Sequence, residues 1–467
     1  VPADAVRPNI SPLMRRAFCS HGNGIRHQIA SCGLWLAGAE AGGATTEKAD
    51  EFPEELIGQF IKDTVMHEVG HTLGLRHNFK ASTYRSREEI FAKESPGDLA
   101  SSVMDYLPIA IAPEDKPQGN YAMTTLGPYD VWAIQYGYTT DEKELGKIVA
   151  RVAEKGHDYA TDEDTWSDDP LVDTWDLGAD PLQYARDRVA LMKRLRKDLE
   201  ARAVQEGESY NRLRRAMDMQ FYEGRGAGAT AAKFIGGELL HRDHRGDPNA
   251  RPPMVPVSAA KQREALKFVC DEFLSGRYFV FGDDQLRKVA PDFWVDDFFA
   301  LFFGGYSYPY LENVQWVQSS LVYGLTSPDR LNRVVDARHK MAAGADVLTV
   351  PEIFDAVQGT IFKDLATLAN RPGTNRDPSL NDMQRNLQRE YVSHLIFILL
   401  EGEGWYSPTV QTLARHYVKR LAGDIGLVLK TQPNLAADKR LDTSTTAHLD
   451  ECQAKLERAL EASYTLR

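Results

Sequence analysis

The sequence predicts a mainly helical fold, α+β at most. Three observations carry this. Apolar residues recur at three- and four-residue spacing over 181–205, 258–275, 328–343, 350–368, 380–400, 408–422 and 446–463. A further helical period runs through Leu56, Ile57, Phe60, Ile61, Thr64 and Val65. The first 66 residues hold little of the strict alternation that marks half-buried strands.

Taken in order, residues 1–50 read as irregular. Pro2, Pro8, Pro12, Gly22, Gly24 and the run 37–46 interrupt any long period, and 32–37 is one apolar patch suited to a short strand or a helical turn. A strong helix follows. Pro53 fits its first turn, and Glu54 and Glu55 complement its positive end. It should run to about Leu73 and stop at Gly74, because glycine tolerates the left-handed backbone of a helix end. Residues 76–127 read as loop with short elements. Gly127-Pro128 opens a helix over 129–136, closed by Gly137. Helix starts are also written at Ser327-Pro328 and at Thr349 to Glu352, the latter a capping-box pattern. Breaks are expected at the Gly-rich 222–229, the Pro-rich 246–256 and 371–378. The division expected is therefore a first region, 1–140, and a helical region, 141–467, with a sub-boundary near 246–257.

The chain has 467 residues, 43% hydrophobic and 26% charged, enough for more than one buried core. A net charge of −12 argues against a nucleic-acid partner, which needs a basic face, and gives no attraction to an anionic membrane. No apolar run approaches the ~20 residues of a membrane span. The N-terminal stretch lacks the pattern of a signal peptide and begins at Val1, which reads as a processed or truncated chain. Four cysteines are too few for a disulfide scaffold. Cys270 and Cys452 sit on apolar stripes and read as buried thiols. Cys19 and Cys32 could form one local disulfide, hold a metal together with His21 and His27, or remain free.

The chemistry lies at His67-Glu68-Val69-Gly70-His71-Thr72-Leu73-Gly74-Leu75-Arg76-His77. Residues four apart on a helix lie above one another, so His67 and His71 can aim at one point. Gly74 ends the helix and lets the chain reverse, returning His77 as a third ligand. Three imidazoles at ~2.0–2.1 Å from a Zn2+ ion leave a fourth position for water, as in catalytic rather than structural sites. Glu68 neighbours the first ligand and can act as general base toward that water.

This pattern resembles that of the metzincins, zinc peptidases that share the extended motif and place a methionine-containing turn beneath the metal. Ser101-Ser102-Val103-Met104-Asp105-Tyr106 looks like that turn. The resemblance implies that Met104 floors the site without binding the metal and that Tyr106 serves as an extra ligand which swings away to assist the oxyanion. The segment 127–138 resembles the helix that follows, with Asp130 structural. Asn78, directly after the third histidine, departs from the better-known branches. HEVGHTLGLRHNF with the later SVMDY is similar to a bacterial family of extracytoplasmic zinc-dependent metalloproteases with further domains upstream of the metzincin domain. That similarity implies a metzincin-like catalytic region in a protein located in the periplasm, cell envelope or outside the cell. Metzincins usually place a twisted sheet before the helix that bears the first two histidines, whereas only 66 residues with little strand alternation precede His67, so the upper sheet is expected to be incomplete and the chain a C-terminal fragment of a longer protein.

Three other groupings have competing readings. His241, Asp243 and His244 read as a solvated loop or a metal cluster. Asp162, Glu163, Asp164, Asp168, Asp169, Asp173, Asp176 and Asp180 could bind Ca2+ or form a solvated acidic loop with helix-capping roles. The aromatic run 293–310 reads as core, interface or a wall of the substrate cleft. The function expected is a zinc endopeptidase acting on peptides or proteins. The alternatives are a catalytically silent zinc-containing scaffold and a zinc hydrolase of non-peptide amides.

Overall fold

The computed structural model describes residues 21–39, 52–291 and 306–465. It is mainly helical, 60% helix and 1% strand. In chain order the elements are α1 (His21–Ala39), α2 (Glu54–Thr72), α3 (Arg87–Ile90), α4 (Pro128–Tyr138), α5 (Glu142–Val149), α6 (Pro181–Arg196), α7 (Leu199–Ala203), α8 (Asn211–Lys233), strands β1 (Glu238–Leu240) and β2 (Met254–Pro256), α9 (Ala259–Val269), α10 (Asp283–Arg287), α11 (Tyr310–Leu325), α12 (Pro328–Lys340), α13 (Val350–Ile361), α14 (Asp382–Leu400), α15 (Pro408–Thr431) and α16 (Thr443–Thr465). The two strands pair as one small sheet. Among the described residues no helix is long and apolar enough to cross a membrane.

The chain forms two compact units. The first comprises residues 1–230, 238–255 and 281–308, and the second 231–237, 256–280 and 309–467. The second unit is an all-helical assembly in which α14, α15 and α16 pack together and α11 packs on α14. Its core is built on Tyr278, Tyr391, Phe273, Phe279 and Phe354. The capping box written at Thr349 is formed, with Thr349 Oγ1 accepting from Glu352 N and Glu352 Oε2 from Thr349 N. Cys270 and Cys452 are buried free thiols.

Two local expectations need correction. Residues 21–39, expected to be irregular, form α1, because Cys32, Trp35 and Leu36 pack against Leu56 and Ile109 and that burial outweighs the glycines. Cys32 is a free buried thiol, whereas Cys19 lies outside the described residues. The Gly-rich 222–229 does not break the chain but lies inside α8, anchored by the buried ion pair of Arg188 with Glu223 at 2.7 Å. The aromatic run 293–310 falls largely outside the described residues.

Helix α2 carries apolar side chains on two faces. Leu56 is buried and Phe60 and Met66 are partly buried. Ile57, Ile61, Val65, Val69 and Leu73, each four residues from the last, are 44–58% exposed. On the buried side lie Asp63 and His67.

Candidate metal centre

Helix α2 ends as the sequence requires. Leu75 N donates to Gly70 O and Gly74 N to His71 O, both at 3.0 Å, and Gly74 has φ +90°. This paired closure is the glycine-dependent helix terminus, and it reverses the chain between the second and third histidines. His67, His71 and His77 then converge, their ligand-capable atoms all lying within 4.8 Å of one another. Ligands at ~2.0–2.1 Å around one tetrahedral ion stand roughly 3.3 Å apart, a spacing within reach of side-chain rotation.

Each ring is held by its Nδ1. His67 Nδ1 meets Val103 O at 2.8 Å, His71 Nδ1 meets Leu75 O at 3.0 Å, and His77 Nδ1 meets the Asp162 carboxylate at 2.9 and 3.1 Å. A carbonyl or carboxylate can only accept, so these contacts put the proton on Nδ1 and leave the Nε2 lone pair pointing inward. His71 Nε2 is buried with no hydrogen-bond partner. A buried ring nitrogen left unsatisfied is costly unless something binds it, and a cation held by three imidazoles fits that requirement. Burial pushes the His77 imidazole below its ordinary pKa against the opposing effect of Asp162, favouring the neutral, ligating form.

The methionine turn lies beneath the helix. Met104 is fully buried, and a Cβ on Gly70 would stand 2.3 Å from Met104 Sδ, so Gly70 admits the turn to the helix. Asp130, on α4, pins the turn. Its carboxylate accepts from Ser102 Oγ at 2.6 Å, Val103 N at 3.0 Å and Gly127 N at 2.9 Å. Burial raises this carboxyl's pKa in spite of those donors. Asn78 N donates to Met104 O at 3.0 Å, and its side chain bonds Asp158 O and Ala160 N. The residue that departs from the familiar motif therefore ties the backbone after His77 to both the turn and the segment 158–160.

The Tyr106 hydroxyl stands 3.1 Å from His77 Nε2, and its ring packs edge-on against His77 and Phe79. Trp175, in the left-handed region at φ 67°, packs its ring 5.5 Å from that of Tyr106 and donates its backbone N–H to Tyr106 O at 2.8 Å. Glu68 is exposed on α2. It stands three residues before His71, which makes the two side chains neighbours on the helix surface.

The other candidate clusters resolve into separate partnerships. Asp243 accepts from Arg251 through backbone and side chain, and its carboxyl is pulled down to about 2 by that guanidinium. The acidic segment is not gathered round one cation. Asp162 faces His77, Glu163 pairs with Arg76, Asp164 with Arg242, Asp169 with the buried Lys80 at 2.7 Å, and Asp180 caps α6. Among the described residues, the three histidines are the one group of three or more such side chains with metal-binding geometry. Beside the turn at Leu73 to Arg76 opens a cavity of about 510 Å³ walled by Leu75, Tyr129, Trp132, Val152 and Tyr159.

The sequence pattern placed the helix, the convergence of His67, His71 and His77, the glycine turn and the 101–106 turn. It missed Gly70 as the contact for Met104, and Asp162, which lies 85 residues beyond His77 in a stretch whose composition only signals acidity.

A helix with two in-line histidines, a glycine reversal to a third and a buried methionine turn beneath them define a protein of the HExxHxxGxxH, methionine-turn class. The chain belongs to the Met-zincin family, whose model matches residues 49–368. No curated protein and no solved structure matches it.

Proposed function

We propose that this chain is a zinc-dependent metallopeptidase, with His67, His71 and His77 as ligands. The observation that supports this most directly is the unsatisfied, buried His71 Nε2 facing two other imidazoles whose outer nitrogens are already engaged. Zinc held there supplies Lewis acidity for a peptide carbonyl and lowers the pKa of a water to about 7. Glu68, exposed beside His71, accepts the proton from the attacking water and returns it to the leaving amine. The Tyr106 phenol, already beside His77 Nε2, donates to the oxygen on which charge develops. Met104 and Asp130 keep the floor of the site rigid and dry.

The test uses purified protein. Metal analysis should find about one zinc per chain. Glu68→Gln should retain that zinc and lose at least about 10²-fold in cleavage of unfolded casein, the order of a general-base contribution. Zinc retained with cleavage unchanged removes Glu68 from the reaction. If wild-type protein with full zinc cleaves no peptide, the peptidase reading is wrong and the scaffold reading stands.

A further inference from the structure

The three imidazoles are not held alike. His67 and His71 lean on backbone carbonyls, those of Val103 and Leu75, whereas His77 leans on a carboxylate. Asp162 reaches it from the first position of a short 3-10 helix, Asp162–Trp166, whose start is fixed by a capping box between Thr161 and Asp164. The same loop is stitched to the residues directly after the ligand. Phe79 N donates to Ala160 O at 2.7 Å, and Ala160 N donates to Asn78 Oδ1 at 3.1 Å. Asp162 Oδ2 also accepts from Thr161 Oγ1 at 3.2 Å. Arg76 meets Glu163 at 2.5 and 3.0 Å and also pairs with Asp162 at 3.7 Å. The Asp162 carboxylate lies closer to His77 Nδ1, at 2.9 and 3.1 Å, than to Thr161 Oγ1 or Arg76.

We infer that Asp162 is the positioning residue of the third ligand. It holds His77 with the proton on Nδ1 and the Nε2 lone pair turned toward the metal, and it adds negative charge to a ligand set that is otherwise neutral. A carboxylate behind a ligating histidine fixes the ring and raises its basicity, and its loss typically costs 10–100-fold in metal affinity. The inference rests on the metal-site reading above.

The test is zinc affinity of the full chain, measured by competition with a chromogenic chelator, together with the visible spectrum of the cobalt(II)-substituted protein. Asp162→Ala should bind zinc about 10–100-fold more weakly and shift the cobalt bands. Asp162→Asn keeps an acceptor oxygen without the charge and should fall between Asp162→Ala and wild type. Thr165→Ala, which removes a hydroxyl that donates to Asp162 O at 2.7 Å and leaves the carboxylate and Arg76 in place, should match wild type in both readouts. The inference is overturned if Asp162→Ala and Asp162→Asn both stay within about twofold of wild type. It is equally overturned if Thr165→Ala loses as much as Asp162→Ala, because the loop rather than the carboxylate would then be responsible. A wild-type chain that takes up neither zinc nor cobalt removes the metal-site reading itself, a result distinct from normal wild-type affinity that is indifferent to Asp162.

Discussion

Asp63 is a carboxyl buried one turn ahead of His67 on the ligand helix, and burial raises its pKa to about 8. The fold therefore favours the protonated side chain, while the unfolded chain ionises it near 3.8. Its contribution to stability is complete below that unfolded value and is lost progressively as pH climbs to about 8, above which the loss is constant. Asp63→Asn mimics the neutral form. Denaturation series from pH 5 to 9 should show the variant gaining on wild type up to about pH 8 and then holding its lead. A difference that does not change with pH would show that Asp63 is ionised in the fold. The signal for the three histidines is local, since a four-residue spacing and a glycine suffice to bring them together. Nothing local marks Asp63 as buried, because its neighbours at 57, 61 and 65 are apolar and yet exposed.

At the level of the elements, the decisive contact is between α2 and the methionine turn. Gly70 lies between His67 and His71, and its missing Cβ is the space that Met104 Sδ occupies. Gly70→Ala should cost about 1–3 kcal/mol by overpacking, measured by urea denaturation, and weaken metal binding along with it. A cost below about 0.5 kcal/mol would mean that the methionine side chain moves aside freely. The helix boundaries were legible because caps and glycine are short-range signals; the observed α2 ends at Thr72, with Leu73 and Gly74 closing it. The amphipathic face was not legible. The sequence shows an apolar period, and only packing reveals that Leu56 and Phe60 meet the core while the stripe from Ile57 to Leu73 does not. The glycines of 222–229 misled for the opposite reason, since tertiary burial of α8 outweighs their low helix propensity.

On the scale of the whole molecule, the candidate centre draws together segments far apart in sequence. The three histidines come from 67–77, the floor from 102–106, its anchor from Asp130, and the outer partner of His77 from Asp162. Asp169 reaches back to the buried Lys80, whose ammonium also donates to Leu240 O at 2.7 Å, so the loop, the ligand segment and β1 are fastened together within the first unit. Such pairings carry no periodic signature, which is why the motif was readable and its supports were not. The central claim is that a cation is held by three imidazole nitrogens. Zinc K-edge X-ray absorption on the full chain loaded with one equivalent of zinc tests it most directly. Three imidazole ligands would give a nitrogen/oxygen shell at ~2.0–2.1 Å with the outer scattering of about three imidazoles. A sulfur shell near ~2.3 Å, or an oxygen shell without imidazole scattering, would contradict it.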